Sequence, residues 1–339
     1  MMNNNTRLAL FAISLFLAPM ARSQSYTVTV LPSPAIGALA VNNHGQVAGF
    51  GEFAPSVDHA FVWSAVVGLH DLGALPGGGN SIAQGINDSG QVVGWSVGAA
   101  ETRAFLWTSS GGMQDLGTLG GPSALAYGIN DAGQVVGNAA LADGVSYHAF
   151  LWTSAEGMKD LGTLGGNYSY AQAINSAGEV AGFSYLADNV TSHAFLWTQA
   201  GGMQDLGLSG EYVTALGIND SGTIVGLYAR TNSGEQFGFV RRLNGKVFNV
   251  GTLGGTETVA FSINQTNQIV GYSTLAAVDG NRGFLWTQAK GLQDLTSLVP
   301  PGNGVMAVGY AINRTGQIAV TGSLGYENFF AALLTPTQK

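Results

Sequence analysis

Ten residues, Gly-Ile-Asn-Asp-Ala-Gly-Gln-Val-Val-Gly at 128–137, recur in recognisable form around Asn42, Asn87, Asn130, Asn175, Asn219, Asn264 and Asn313. The spacings are 45, 43, 45, 44, 45 and 49 residues. Seven near-equal units of about 44 residues fall in the range of propeller blades.

Each unit holds four short strand signals separated by turn residues. In the third they span 124–129, 134–138, 148–153 and 158–161, called here strands a, b, c and d. Strand a alternates small and larger residues, as in Ala126-Tyr127-Gly128-Ile129 and Ala171-Gln172-Ala173-Ile174. That period of two is strand behaviour, and small side chains suit a strand near a crowded axis. The a–b connection is an Asn-x-x-Gly turn, with Gly45, Gly90, Gly133, Gly178, Gly222 and Gly316 at its fourth position. Asn267 fills that position in the sixth unit, and Asn is the non-glycine residue that best tolerates a left-handed backbone. In strand c, Phe150 and Trp152 point to one face and Ala149 and Leu151 to the other. Both faces are apolar, so the sheet is expected to be covered on both sides. Trp63, Trp107, Trp152, Trp197 and Trp286 share one slot, taken by Arg241 and Leu334 in units five and seven.

The two ends of the repeat are complementary. The seventh unit stops after its c strand, 330–335, and a d-like strand at 26–31 precedes the first a strand. Joining them completes a seventh sheet, whereas an open solenoid gives no reason for two matching deficits. The expected fold is all-β, a seven-bladed β-propeller of four-stranded antiparallel blades over residues 24–339, closed by the N-terminal strand joining the last blade.

Composition narrows the classes of function. Hydrophobic residues make up 46% of the 339, so the chain can bury a core and intrinsic disorder is excluded. Residues 1–23 read as a signal peptide: a polar start with Arg7, an apolar run at 8–17, Pro19, and small residues before a cleavage point at Gln24. Its removal takes away Arg7 and Arg22 and leaves ten basic against twenty acidic residues, a net charge of −10. So acidic a surface repels phosphate backbones, and nucleic acid is not an expected partner. No other run is long and apolar enough to suggest membrane insertion. The absence of cysteine rules out disulfides, thiolate metal sites and a Cys nucleophile. A secreted or periplasmic monomer without cofactor is expected.

The segments His59-Ala60-Phe61, His148-Ala149-Phe150 and His193-Ala194-Phe195, with Asp-Leu-Gly-Thr-Leu-Gly-Gly at 115–121 and 160–166, resemble the bacterial extracellular HAF-repeat family. Departures are Arg103, Arg282, Phe237 and Phe330 in place of the His, and Asn249 in place of the Asp. The resemblance implies export and a propeller-like architecture; it implies no reaction.

Repeated polar residues first read as structural. His59, His148 and His193 lie on separate units and should not converge on one metal ion, so no metal site is expected. Asp71, Asp115, Asp160, Asp205 and Asp294 are expected to accept backbone or Trp indole hydrogen bonds within their own blades. Gly-Gly at 120–121 and 165–166 reads as the crossover between blades, with no Lys or following helix to make a phosphate cradle.

Function is expected where the units differ, in the d–a and b–c loops that share one end of the ring. Tyr168, Tyr170, Tyr212 and Asn80 are the candidate ligand-binding residues, suited to an extracellular glycan or protein. Glu211 and Glu257, on adjacent d–a loops, are the candidates for catalysis if the protein is instead an exported hydrolase or lyase acting on polysaccharide or lactone. A structural protein of the cell surface or matrix is the third reading.

Overall fold

A computed structural model describes residues 25–98, 101–208, 212–229, 234–276, 280–325 and 328–337. The leader read at 1–23 and the candidate Glu211 lie outside them. The regular structure of the described residues is twenty-eight strands and one short 3-10 helix, Leu295–Leu298. None of it is a helix long and apolar enough to cross a membrane.

The predicted four-strand unit is present with longer strands. In the third unit a, b, c and d are Gly120–Ile129, Val135–Leu141, Tyr147–Thr153 and Gly157–Asp160, paired antiparallel in that order. Strand a starts four residues before its predicted first residue, so Gly120-Gly121 belongs to the strand and not to a free crossover. The reason is close contact: Gly120 has φ +100°, and a Cβ on Gly121 would come within 2.4 Å of the Leu141 carbonyl oxygen. Three units form separate four-stranded sheets. Units three and four, and units five and six, are joined into eight-stranded sheets. A single parallel pair makes each junction, Tyr147 with Tyr168 and Gln236 with Glu257.

The two ends of the repeat meet. Tyr26–Val30 pairs antiparallel with Phe329–Pro336, Tyr26 opposite Pro336 and Val30 opposite Ala332, as the outermost strand of the sheet containing Val305–Ile312 and Ile318–Ser323. The described termini are bonded as well, with Ser25 Oγ 2.6 Å from Thr337 Oγ1.

Apolar clusters lie between consecutive units. Phe150 and Trp152 pack with Val93, Leu106 and Leu116 of the preceding unit, and Ala149 and Leu151 pack with Val180, Phe195 and Trp197 of the next. Each sheet is therefore covered on both faces, as the alternation in strand c requires. The a–b register slips by one residue at the same place in every unit, for example between Ala126 and Gly128 and between Ala171 and Ala173. A bulge there bends and twists the inner hairpin.

The inner hairpins approach so closely that one partner must lack a side chain. Ala126 faces Gly137, and a Cβ on Gly137 would lie 1.9 Å from the Leu125 carbonyl oxygen. Gly49, Gly94, Gly182, Gly226 and Gly271 are in the same position with the same approach to backbone oxygen. The last unit swaps the roles and sets Gly309 against Val320. Gly137→Ala is expected to lower stability by about 3 kcal/mol, the upper end of the usual overpacking cost, seen as a lower urea midpoint at unchanged slope. A loss under about 1 kcal/mol would show that the hairpin can open freely.

Candidate functional site

Each a–b turn is built around its asparagine. Asn130 Oδ1 accepts from the backbone N–H groups of Ala132 and Gln134, and Nδ2 donates to Gln134 Oε1 at 2.8 Å. The φ of Asn267 is +58°, as its place in the turn demands. Nδ2 makes a second bond that the sequence reading missed, to the backbone oxygen of the equivalent asparagine in the next unit. Asn42 donates to Asn87, Asn87 to Asn130, Asn130 to Asn175 and Asn175 to Asn219; Asn219 donates to Asn264, Asn264 to Asn313, and Asn313 back to Asn42, all at 2.8–3.3 Å. This cycle of buried amides ties the units around one axis.

Within the cycle a cavity of about 180 Å³ is walled by Val41 and the isoleucines that precede the other six asparagines. Its mouth carries Asn43, Asp88, Asp131, Ser176, Asp220, Gln265 and Arg314. Most of these groups bond one another: Asn43 N and Nδ2 donate to Asp88, Asp88 N to Asp131, and Arg314 Nη2 lies 3.5 Å from Asp220. This end is a polar seam whose bonding capacity is largely spent between units.

The other end differs. Tyr168, expected in a d–a loop, is the fourth residue of the fourth a strand, Gly165–Ile174, and six residues of extended chain place it roughly 20 Å from the turn at Asn175. There Tyr168 stacks on Tyr147 (ring centroids 6.4 Å) and meets Tyr185 edge-on (5.6 Å). Tyr170 stacks on Phe183 at 4.7 Å, and Phe183 also meets Tyr185 and Tyr212 edge-on. Three of the predicted residues, Tyr168, Tyr170 and Tyr212, thus join one cluster of six rings drawn from units three, four and five. Burial, then the neighbouring phenols of Tyr185 and Tyr168, push the Tyr170 phenol up from its ordinary value. Burial pushes Tyr127 up to about 12, so both rings stay neutral donors over the physiological range.

Two alike b–c loops flank the cluster. The Ser146 hydroxyl, with the N–H groups of Ser146 and Val145, holds the Asp143 carboxyl down to about 2. Asp188 is lowered by the Thr191 hydroxyl and the N–H groups of Val190 and Thr191. These bonds fix two loops whose tips, Val145 and Val190, are exposed.

The remaining candidates lie elsewhere. Asn80 Oδ1 accepts from the Asp58 backbone N–H and so links unit two to unit one, away from the tyrosines. Glu257 takes part in the parallel junction with Gln236 and lies near Tyr272, whose phenol is raised by burial first and by Glu257 second. Sequence reasoning did not single out Tyr147, Phe183 or Tyr185: Phe183 read as a strand residue, and Tyr147 and Tyr185 fell in the expected b–c loops, whereas the structure places all three in strands.

The repeated acids are also corrected. Asp71, Asp160 and Asp205 accept from Nδ1 of His59, His148 and His193, and Asp115 accepts from Arg103, at 2.7–3.1 Å. Each also accepts a backbone N–H two residues on, as the sequence suggested. In place of a Trp indole, the side-chain donor is the basic residue near the start of strand c. Arg282 stands 3.9 Å from Asp294. Where the base is Phe237 or Phe330, the acid is absent too, its place taken by Asn249 or Val30. The three histidines stay in separate units, and no group of three or more His, Asp or Glu converges among the described residues.

No family model matches the chain, and no curated protein matches it. Solved structures do. An oligogalacturonate lyase in complex with manganese is 11% identical with a TM-score of 0.60, the match covering 92% of this chain and 93% of that one. An oligogalacturonate lyase from Vibrio parahaemolyticus is 10% identical with a TM-score of 0.57, over 91% and 93%. TolB from Acinetobacter baumannii is 11% identical with a TM-score of 0.51, over 87% of this chain, which spans only 64% of TolB. At such identities the likeness is one of fold. The chain is an all-β protein of propeller fold.

Proposed function

We propose that this protein is an exported, non-catalytic binding propeller of seven blades, one per four-strand unit, that takes an extracellular glycan or protein on its Tyr-rich end. The observation that carries the reading is the ring cluster of Tyr147, Tyr168, Tyr170, Phe183, Tyr185 and Tyr212. Phenols offer apolar faces with a hydrogen-bonding tip, the combination that serves at wet interfaces. The Asp-pinned loops beside them keep the surface rigid, which lowers the entropy lost on binding. Export is supported by the apolar run and small residues before Gln24. The blade count is supported by the Asn cycle, which returns to its start after seven bonds.

A glycan array followed by calorimetry tests the reading. Tyr168→Ala, Tyr170→Ala and Tyr212→Ala should each weaken binding by about 1–3 kcal/mol. Unchanged affinity in the triple variant, its fold checked by circular dichroism, would refute the site.

A further inference from the structure

At the end of the ring opposite the tyrosines, a cavity of about 400 Å³ opens between the first two units. Val62, Trp63, Ser64, Val67 and Gly68 wall one side, and Trp107 and Ser109 the other, with Gln46, His70, Ser89 and Gly90 between. The volume lies in the range of small-molecule sites.

The notch departs from its equivalents in three ways. Trp107 alone among the five strand-c tryptophans is only half-buried; Trp63, Trp152, Trp197 and Trp286 are buried. Between units three and four, Lys159 lies 5.2 Å from the Trp197 ring and donates to Gln199. Between units five and six, Phe248 packs on Trp286 and Arg242 donates to Gln288, so that notch is cationic. Here the covering residue is the short, exposed His70 ring, tilted 54° at 5.7 Å from Trp107, and it leaves the indole accessible. Finally, the adjoining c–d turn carries Val66 and Val67, 94% and 81% exposed.

The lining is aromatic and polar without a fixed charge. Three serines and Gln46 supply hydrogen bonds around the two indoles, and no Lys, Arg, Asp or Glu is present. Gln46 Oε1 accepts from Asn42 Nδ2, so the amide N–H groups are what Gln46 has left to offer. An accessible indole face edged by hydroxyl and amide groups matches a ligand with one apolar face and a rim of hydroxyls. We propose that this notch binds a neutral hexopyranose residue of a glycan, its C–H face on Trp107 and its hydroxyls toward Gln46 and the serines. This site is independent of the tyrosine cluster.

The test uses the full chain labelled with 5-fluorotryptophan, its Trp107 resonance assigned from Trp107→Phe. Methyl glycosides of glucose, galactose and mannose are titrated, with an uncharged valine-rich peptide in parallel. The expected result is a saturable shift of the Trp107 resonance with at least one glycoside while Trp152 and Trp197 stay put. Trp107→Ala, which removes the proposed stacking face, should weaken that glycoside at least about tenfold when read by calorimetry. The Tyr168, Tyr170 and Tyr212 triple variant should bind it unchanged, which separates failure of this site from failure of the other. No shift with any glycoside, a shift with the peptide alone, or full affinity in Trp107→Ala would overturn the proposal.

Discussion

Deleting residues 26–30 is expected to unfold the last unit and to carry much of the protein's stability with it. Tyr26 is 1% exposed and packs in a cluster with Leu298, Val299, Met306, Ile318 and Leu334, which spans the sixth and seventh units. Without that strand Phe329–Pro336 becomes a bare edge, its ladder groups unpaired and its apolar face uncovered. The loss spreads because the units form a cycle: the asparagine bonded back to Asn42 is Asn313, in the sheet that strand completes. The milder variant Tyr26→Ala should lower stability by about 3–5 kcal/mol, as for other large buried aromatic side chains. Hydrogen exchange should show protection lost first at 318–323 and 329–336, and a synthetic peptide of residues 24–31 should restore it in the deletion variant. A deletion variant that melts within a few degrees of the parent would mean that the meeting of the two ends contributes little.

What could be read from the chain was whatever depends on neighbours in sequence. The Asn-x-x-Gly turn, its Asn267 exception and the two-faced strand c follow from local sterics and alternation, and all are found. Relations between units were less visible. Asn130 was legible as a turn former because its Oδ1 bonds residues two and four away. Its Nδ2 bond reaches Asn175, and a strict repeat hides such a partner because every unit looks alike. The acid–base pair left a signal that local reading passed over. Base and acid are 12 residues apart in five units, and Phe237 with Asn249 lose both together at the same separation. The aromatic cluster of the candidate site was half legible. Tyr168, Tyr170 and Tyr212 stood out as departures from the repeat, whereas Tyr147, Phe183 and Tyr185 join them only through strand pairing. Asn80 stood out in the same way, and its side chain accepts from the Asp58 backbone N–H, so departure from a repeat can also mark a brace between units.

Trp152→Ala is expected to cost about 3–5 kcal/mol, measured by urea denaturation. The indole is buried with Val93, Ala104 and Leu106 of unit two on one side and Val135 and Phe150 of its own unit on the other. Two sheets fixed by their own ladders cannot close the gap, so most of the cavity would persist. Trp107→Ala is the informative comparison, because Trp107 holds the same place in its unit but faces the open notch beside His70. Water already reaches that ring, and truncation there removes less buried area, so its cost should be about 1–2 kcal/mol. Losses of equal size would mean that the first notch is as closed as the others and that Trp107 has no face to offer. A large loss at Trp152 beside a small one at Trp107 requires both that packing between units holds the ring together and that this packing is relaxed at one junction.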